Sequence, residues 1–380
     1  MNASIKQKIL IFHPALAPYR VDQFNMLNNL YDLEIVFIFD NVWNHKFDQE
    51  KILQQLNCPY SFLLFGPRYK GRVFRFGIYK KIKESNPDFI FGYEFSFTTQ
   101  YLILLKRFGL IHQKIGSTID DSLEICRRVQ SNIREFARKQ TIKKLDYIVV
   151  LSNEVSSFYG TTFGVSTNKI IISPILQNPE RLREQKELLQ DIANERIKLY
   201  DLQNKKVLLF VGRFIKEKGL IQFLENILTI LNNKNDIVFV IVGEGDEKSK
   251  IESLIKDNHL DSRVILPGRY EGQELYAWYL CASGFVLPST YEPFGAVVNE
   301  ALIFGLKVLC SQFAGSSYLV FDSKLGLIFN PNDANETERK LEIFLNELES
   351  IGDVVLSEKK SLILFDKFGF REQWEKLTNA

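Results

Sequence analysis

Residues suited to metal or redox chemistry are scarce and scattered in this sequence. Cys58, Cys126, Cys281 and Cys310 lie far apart and form no C-x-x-C pair, which argues against a disulfide framework or a zinc site. His13, His45, His112 and His259 are equally dispersed. Free buried thiols and no bound metal are expected. No stretch approaches 18 uninterrupted apolar residues, so a membrane-spanning helix is excluded on hydropathy. The opening MNASIKQKILIFHPALAPYR has only a short apolar run before His13 and Pro14. That is a buried strand, not a signal peptide, and a cytosolic chain is expected. The net charge of +2 is too small for a general phosphate binder, and no base-reading motif appears. Nucleic acid is not expected as a partner.

What remains is ordinary globular material of two-domain size. The chain has 380 residues, of which 46% are apolar and 25% charged. That length allows two or three domains. The 31 Phe and 15 Tyr supply two substantial cores. Charge is uneven, because residues 1–180 hold 23 Lys and Arg against 16 Asp and Glu. The first half therefore suits an anionic neighbour. Its sharpest feature is Arg68–Lys83, with seven basic residues in sixteen positions, no acid and interleaved aromatics. Two main readings stand: a solvated loop and helix face, or a surface for anionic lipid or a lipid-diphosphate acceptor.

Short apolar runs alternate with amphipathic segments in both halves. Strands are expected at Lys8–Phe12, Glu34–Phe39, Phe89–Phe91, Lys114–Gly116, Tyr147–Leu151 and Lys169–Ile172. In the second half they fall at Val207–Val211, Ile237–Val242, Arg263–Leu266, Gly284–Leu287 and Lys307–Leu309. Near-continuous apolar strands suit parallel sheets buried on both faces. The pattern predicts an α/β chain with two doubly wound, Rossmann-like domains. A first domain over 1–174, a helical linker over 175–204 and a second domain over 205–362 are expected, with a terminal helix within 363–380. Helices are expected over Leu220–Asn232 and Glu247–Asp257.

Three segments of the second half carry candidate chemistry. Val211-Gly212-Arg213-Phe214-Ile215-Lys216-Glu217-Lys218-Gly219 ends a strand and precedes a helix. Ligands of open α/β sheets sit beyond the carboxyl ends of strands. Arg213 can meet a diphosphate as a fork and Lys218 as a point charge. Alone, the segment reads more simply as a solvated basic turn. Gly243, in Ile241-Val242-Gly243-Glu244-Gly245-Asp246, lets backbone approach a ligand, although alone the segment reads more simply as a plain strand-to-helix turn. In Pro288-Ser289-Thr290-Tyr291-Glu292-Pro293-Phe294-Gly295-Ala296-Val297-Val298-Asn299-Glu300, a turn leads into a helix whose first amides can hold an anion. Glu292 stands at the mouth of that turn, and Glu300 lies about two helical turns farther on.

In order and spacing, these segments resemble the retaining glycosyltransferases of family 4, which have a GT-B fold with an interdomain cleft. The resemblance covers about Val207 to Asp333, roughly a third of the chain. It implies that Arg213 and Lys218 neutralise the diphosphate of a nucleotide-sugar donor and that Glu300 holds the ribose hydroxyls. Glu292 would contact the transferred sugar, with Phe294, Gly295 and Ala296 around it. Gly243 and Arg269 would lie near the nucleobase, and the terminal helix within 363–380 would cross back to pack on the N-terminal domain. The sequence departs from the family pattern at Phe304, a bulky residue in a usually small run, and at Ala314–Tyr318.

The opening His13-Pro14-Ala15-Leu16-Ala17-Pro18-Tyr19-Arg20 resembles the subset of the family with a Pro-Tyr-Arg start. The resemblance implies that His13, Tyr19 and Arg20 face the acceptor side, with Glu94 and Asp121 orienting the acceptor hydroxyl. A satisfied buried histidine and a surface Arg20 are the plainer readings, and an Asp pair also caps helices. The implied activity is metal-independent, retaining hexosyl transfer to a glycan or lipid-linked acceptor in bacterial surface polysaccharide synthesis, in the cytoplasm or on the inner membrane face. The donor base, uridine or guanosine, stays open. So do a GT-B phosphorylase or hydrolase and a non-catalytic nucleotide-sugar-binding subunit.

Overall fold

The computed structural model describes residues 6–42, 47–69, 72–128, 131–352, 359–363 and 369–378. The chain divides into two compact units, one of Met1–Gln177 with Asp366–Ala380 and one of Asn178–Phe365.

The first unit is built on β1 (Lys8–His13), β2 (Asp32–Phe37), β3 (Tyr60–Phe62), the small hairpin β4 (Arg68–Tyr69) and β5 (Arg72–Val73), then β6 (Phe89–Tyr93), β7 (Lys114–Thr118), β8 (Tyr147–Val150) and β9 (Ile170–Ile172). Seven of these form one sheet in the order β3-β2-β1-β6-β7-β8-β9, every pair parallel. Runs such as Ile9-Leu10-Ile11-Phe12 are buried along their whole length because helices cover both faces. Those helices are α1 (Val21–Leu30), α2 (Gln49–Leu53), α3 (Ile78–Ser85), α4 (Phe97–Arg107), α5 (Leu123–Arg127), α6 (Asn132–Ile142) and α7 (Asn153–Phe163). Ser96, Ser122 and Ser152 start three of them, each side chain accepting a backbone amide of the first turn.

The second unit begins with α8 (Pro179–Leu182) and α9 (Lys186–Leu199). Its strands are β10 (Lys206–Val211), β11 (Ile237–Val242), β12 (Val264–Gly268), β13 (Gly284–Leu287), β14 (Lys307–Ser311) and β15 (Gly326–Phe329). Their order, β12-β11-β10-β13-β14-β15, is the doubly wound order of mononucleotide-binding halves. The helices are α10 (Leu220–Asn226), α11 (Leu228–Asn233), α12 (Lys248–Asp257), α13 (Gly272–Leu280), α14 (Ala296–Ile303) and α15 (Ala334–Asn346). The two parallel sheets are those expected of a GT-B chain.

Three local expectations differ from the structure. The helix α9, expected as part of a helical linker, belongs to the second unit, where its Leu189, Ala193 and Ile197 are buried. Arg196 fastens it there, pairing with Glu274 of α13 and lying 4.6 Å over both Tyr270 and Trp278. The helix expected over Leu220–Asn232 is two helices, separated by Ile227, whose ψ of 6° leaves the helical range. Strand β3 and the β4–β5 hairpin escaped the sequence pattern because their residues are largely exposed and lack a continuous apolar run. Lys70 and Gly71 of that basic stretch, His45, and Lys367–Phe368 ahead of the terminal helix lie outside the described residues.

The terminal helix α16 (Phe370–Trp374) belongs to the first unit. Phe370, Trp374 and Leu377 are buried with Phe91, Tyr147 and Ile171 in the core on one face of the sheet. The Trp374 indole donates to Ser173 Oγ at 3.2 Å, and its carbonyl accepts the Tyr31 hydroxyl at 2.8 Å.

Candidate active site

In the second unit the strand order reverses between β10 and β13, which are paired through Leu208 with Gly284 and Leu209 with Phe285. In open α/β sheets, ligands sit beyond the carboxyl ends of the strands at such a point. The Gly212–Gly219 loop follows β10, and the Pro288–Gly295 loop follows β13. Gly219, at φ 66°, lets them meet: a side chain there would lie 2.5 Å from the Pro288 carbonyl oxygen. The Thr290 amide donates to Glu217 O at 2.9 Å and completes the junction.

Lys218 and Glu292 form an ion pair across this junction, with both side chains largely shielded from solvent. The sequence had given them separate partners. Arg213, half-buried two residues beyond β10, makes no ion pair among the described residues. Glu292 is held from behind by the loop after β14. The Gly315 amide donates to its carbonyl at 3.0 Å, and the Ser316 amide donates to Phe294 O at 2.6 Å. Gly315 is required there, since a Cβ would fall 1.9 Å from the Pro293 carbonyl oxygen. The Ala314–Tyr318 segment, which departs from the family pattern, therefore shapes the Glu292 loop.

Helix α14 begins at Gly295, in the left-handed region at φ 90°, without a capping side chain and without an acid in its first turn. No side chain of its own first turn offsets the positive end of this helix, although the Glu292 side chain lies close to Gly295. Glu300, on the same helix, is buried and accepts a 2.6 Å hydrogen bond from the Tyr279 hydroxyl. Burial and the adjacent carboxylate raise the Tyr279 pKa well above its ordinary value, so the phenol stays a donor. The Tyr279 ring stacks on Phe304, with centroids 5.6 Å apart and planes 6° from parallel. The bulk of Phe304 is thereby explained. Tyr279 itself carried no signal in the sequence, because it lies in an apolar helix where an aromatic reads as core.

Three other donor-side expectations are modified. Phe294 is buried near Tyr318, so only its backbone is available to a ligand. A Cβ on Gly243 would meet the Gly212 carbonyl oxygen at 1.8 Å, so close packing of two loops accounts for this glycine. Arg269 pairs with Glu271 on an exposed turn.

In the first unit the corresponding reversal lies between β1 and β6. His13 is buried, its Nδ1 3.1 Å from Ala15 O and its ring edge-on to Phe24. Burial, reinforced by Arg20, lowers its pKa to about 3, so it is neutral at ordinary pH. Arg20 is also buried and is not a surface residue. It pairs with Asp120 and donates to Gln23 Oε1 at 2.5 Å. Gln23 donates to Ser173 Oγ at 3.0 Å, which also receives the Trp374 indole. Arg20 therefore has a carboxylate partner within the unit, which corrects its reading as a surface residue, and it lines a small pocket with His13, Thr118 and Asp120. Tyr19, beside it, is half-buried.

Glu94 and Asp121 do come together. Glu94 has a left-handed backbone, φ 48°, which costs a non-glycine residue about 1 kcal/mol. The Thr118 carbonyl and the Ser117 hydroxyl hold it there, at 2.7 Å each. Its Oε1 accepts the Asp120 amide at 2.9 Å. Burial, then the neighbouring Asp121 and Asp120 charges, push the Glu94 carboxyl up to about 8. Burial likewise raises Asp121, opposed by Arg138 at 3.3 Å. A left-handed non-glycine backbone and crowded carboxyls thus coincide at this place. Asp120 and Arg138 complete it. Among the described residues, no group of three or more His, Cys, Asp or Glu is arranged to hold a metal ion. The four cysteines are free and buried.

Comparison with known proteins agrees with this architecture. Residues 191–351 match the family model of glycosyl transferases group 1. The chain is 23% identical over 321 residues to the uncharacterized glycosyltransferase YqgM of Bacillus subtilis, covering 79% of this chain and 82% of that protein. It is 23% identical over 222 residues to the alpha-D-kanosaminyltransferase of Streptomyces kanamyceticus, covering 58% of this chain and 57% of that enzyme. The crystal structure of Anabaena HepE in complex with UDP and glucose superposes with a TM-score of 0.67 at 14% identity, over 98% of this chain and 100% of that one. The family model and these relatives together support a group 1 glycosyltransferase with the GT-B fold.

Proposed function

We propose that the protein is a retaining hexosyltransferase that uses a nucleotide-diphosphate sugar and needs no metal. Its acceptor is a glycan or lipid-linked glycan of bacterial surface polysaccharide synthesis. The observation that carries this reading is the Lys218–Glu292 pair, set at the strand-order reversal beside the uncapped start of α14. The complex of HepE with UDP and glucose supports the donor class.

In this reading the bond from the anomeric carbon to the diphosphate oxygen breaks, and its electron pair leaves with the diphosphate. Arg213, Lys218 and the amides of Gly295 and Ala296 stabilise that growing negative charge. Glu300 holds the ribose, and Glu292 orients the sugar. The acceptor hydroxyl attacks the face the diphosphate leaves, which preserves configuration, and its proton passes to the departing phosphate oxygen. The first unit takes the acceptor, with Glu94 and Asp121 as the groups that orient its hydroxyl.

No helix among the described residues is long and apolar enough to cross a membrane. The proposed location is the cytoplasm, with peripheral docking on the inner membrane face. The exposed aromatics and basic residues of the 68–83 stretch support docking.

Thermal-shift measurements against nucleotides and nucleotide sugars, without added metal, test the donor site. A ligand that binds only the folded state raises its apparent stability. Selective stabilisation by one nucleoside diphosphate is expected. No shift from any of them at millimolar concentration would overturn the proposal.

A further inference from the structure

Helix α6 exposes the residues a water-facing helix would be expected to bury. Ile133 is 82% and Phe136 64% exposed. Three positions apart, they share one face, while burial is confined to Thr141 and Ile142 at the far end. The chain around them is strongly basic. Arg127, Arg128, Arg134, Arg138, Lys139, Lys143 and Lys144 fall within residues 123–144, against only Glu124 and Glu135. Glu124 is neutralised by Arg128 at 2.9 Å. Arg134, Lys139, Lys143 and Lys144 form no ion pair among the described residues.

This helix is not isolated. Gln100 of α4 donates to Thr141 Oγ1 at 3.1 Å, joining the two helices near the end of α6. Helix α4 and the turn after it expose Leu104 and Phe108. Tyr101 packs edge-on against Phe74, with ring centroids 5.3 Å apart, so α4 also adjoins the hairpin segment that exposes Phe65 and Phe76. Protruding apolar side chains thus recur on three neighbouring elements.

We propose that α6, with α4 and the hairpin beside it, docks the first unit on an anionic phospholipid bilayer. Ile133 and Phe136 enter the acyl boundary, and the surrounding lysines and arginines meet lipid phosphates. Two features select a bilayer. Basic charge alone would suit any polyanion, and Ile133 and Phe136 call for an apolar phase beside that charge, which an anionic bilayer supplies together with it. The lysines supply the electrostatic attraction, which each strengthens about fivefold near an anionic surface. The inference rests on the peripheral-docking reading above and moves its centre from the Arg68–Lys83 stretch to α6.

The test is co-sedimentation of the full-length protein with vesicles of phosphatidylcholine alone, or of phosphatidylcholine and phosphatidylglycerol at 7:3, at low and high salt. Binding is expected only to the anionic vesicles and is weakened by salt. Ile133→Ser/Phe136→Ser should cut partitioning at least tenfold, as should Lys139→Gln/Lys143→Gln/Lys144→Gln. All these positions are exposed, so melting temperatures should match the wild type. Phe65→Ser/Phe76→Ser in the hairpin gives the comparison. If this variant loses binding while the α6 variants keep it, α6 is not the anchor. Failure of the wild type to sediment with anionic vesicles overturns the membrane face altogether. Nucleotide thermal shifts on the same samples report on the transferase reading separately.

Discussion

The phenol of Tyr279 holds the carboxylate of Glu300 through a 2.6 Å hydrogen bond inside the second unit. The flat stacking of Tyr279 on Phe304 fixes where that hydroxyl points. A charged acceptor makes this bond stronger than a neutral one, and its loss leaves a buried carboxylate one partner short. Tyr279→Phe keeps the stacking and removes only the bond. The donor KM should rise roughly five- to tenfold with a smaller change in kcat, as expected when ground-state binding is lost. An unchanged KM would show that Glu300 needs no help from Tyr279.

Lys218 and Glu292 depend on one another because neither is well solvated. Lys218→Ala and Glu292→Gln should each lower transfer by roughly a hundredfold or more while leaving the protein folded. Lys218→Ala should also cost more stability, since it strands a shielded carboxylate. Release of nucleoside diphosphate, measured beside melting curves, checks both. Wild-type turnover in either variant at an equal melting temperature would remove the pair from the mechanism.

His13 gives the acid limb of the stability curve a definite sign. Above pH 6.5 it is neutral in the folded and unfolded chains. As pH falls from 6.5 toward 3, the unfolded chain takes up a proton that the buried ring refuses. Stability should therefore drop by about 1.4 kcal/mol per pH unit from this group. His13→Asn preserves a donor toward the Ala15 carbonyl and should flatten that limb. Urea midpoints between pH 7 and 4 provide the measurement, and parallel slopes in both proteins would contradict the assignment.

Glu94 acts in the opposite direction. Its folded pKa, about 8, lies above the ordinary 4.5. Between these values the unfolded chain is ionised while the fold retains the proton, so stability declines as pH rises across that window. Glu94→Gln cannot ionise. It should be more stable than the wild type at pH 8, with the difference vanishing near pH 4, and should transfer sugar poorly at both. Equal stability at pH 8 would mean that the carboxyl is solvated.

The terminal helix can be tested through Trp374. Its side chain fills a core against Phe91 at 5.6 Å and donates to Ser173. Trp374→Ala should cost about 3–5 kcal/mol. In a denaturant titration that resolves two transitions, only the first unit's should shift. A shift confined to the second unit would be inconsistent with this packing.

Much of the architecture was legible along the chain. The runs Ile237–Val242 and Gly284–Leu287 coincide with β11 and β13 because strands buried on both faces must be apolar at every position. The basic and glycine-framed loops could be read from their spacing, since the residues that follow a strand lie at its carboxyl end whatever else the chain does. Partnerships could not be read this way. Lys218 meets Glu292 across 74 positions, Arg20 meets Asp120 across 100, and Trp374 meets Ser173 across 201.

Local sequence thus determined which residues stand at the strand ends and which segments alternate as strand and helix. Tertiary packing alone decided that Arg20 is buried beside Asp120, that Glu300 is held by an otherwise ordinary tyrosine, and that Ile133 and Phe136 remain exposed. The physical reason is that periodicity reports the face a residue occupies on its own element. Burial, charge pairing and pKa depend on which other elements close over that face.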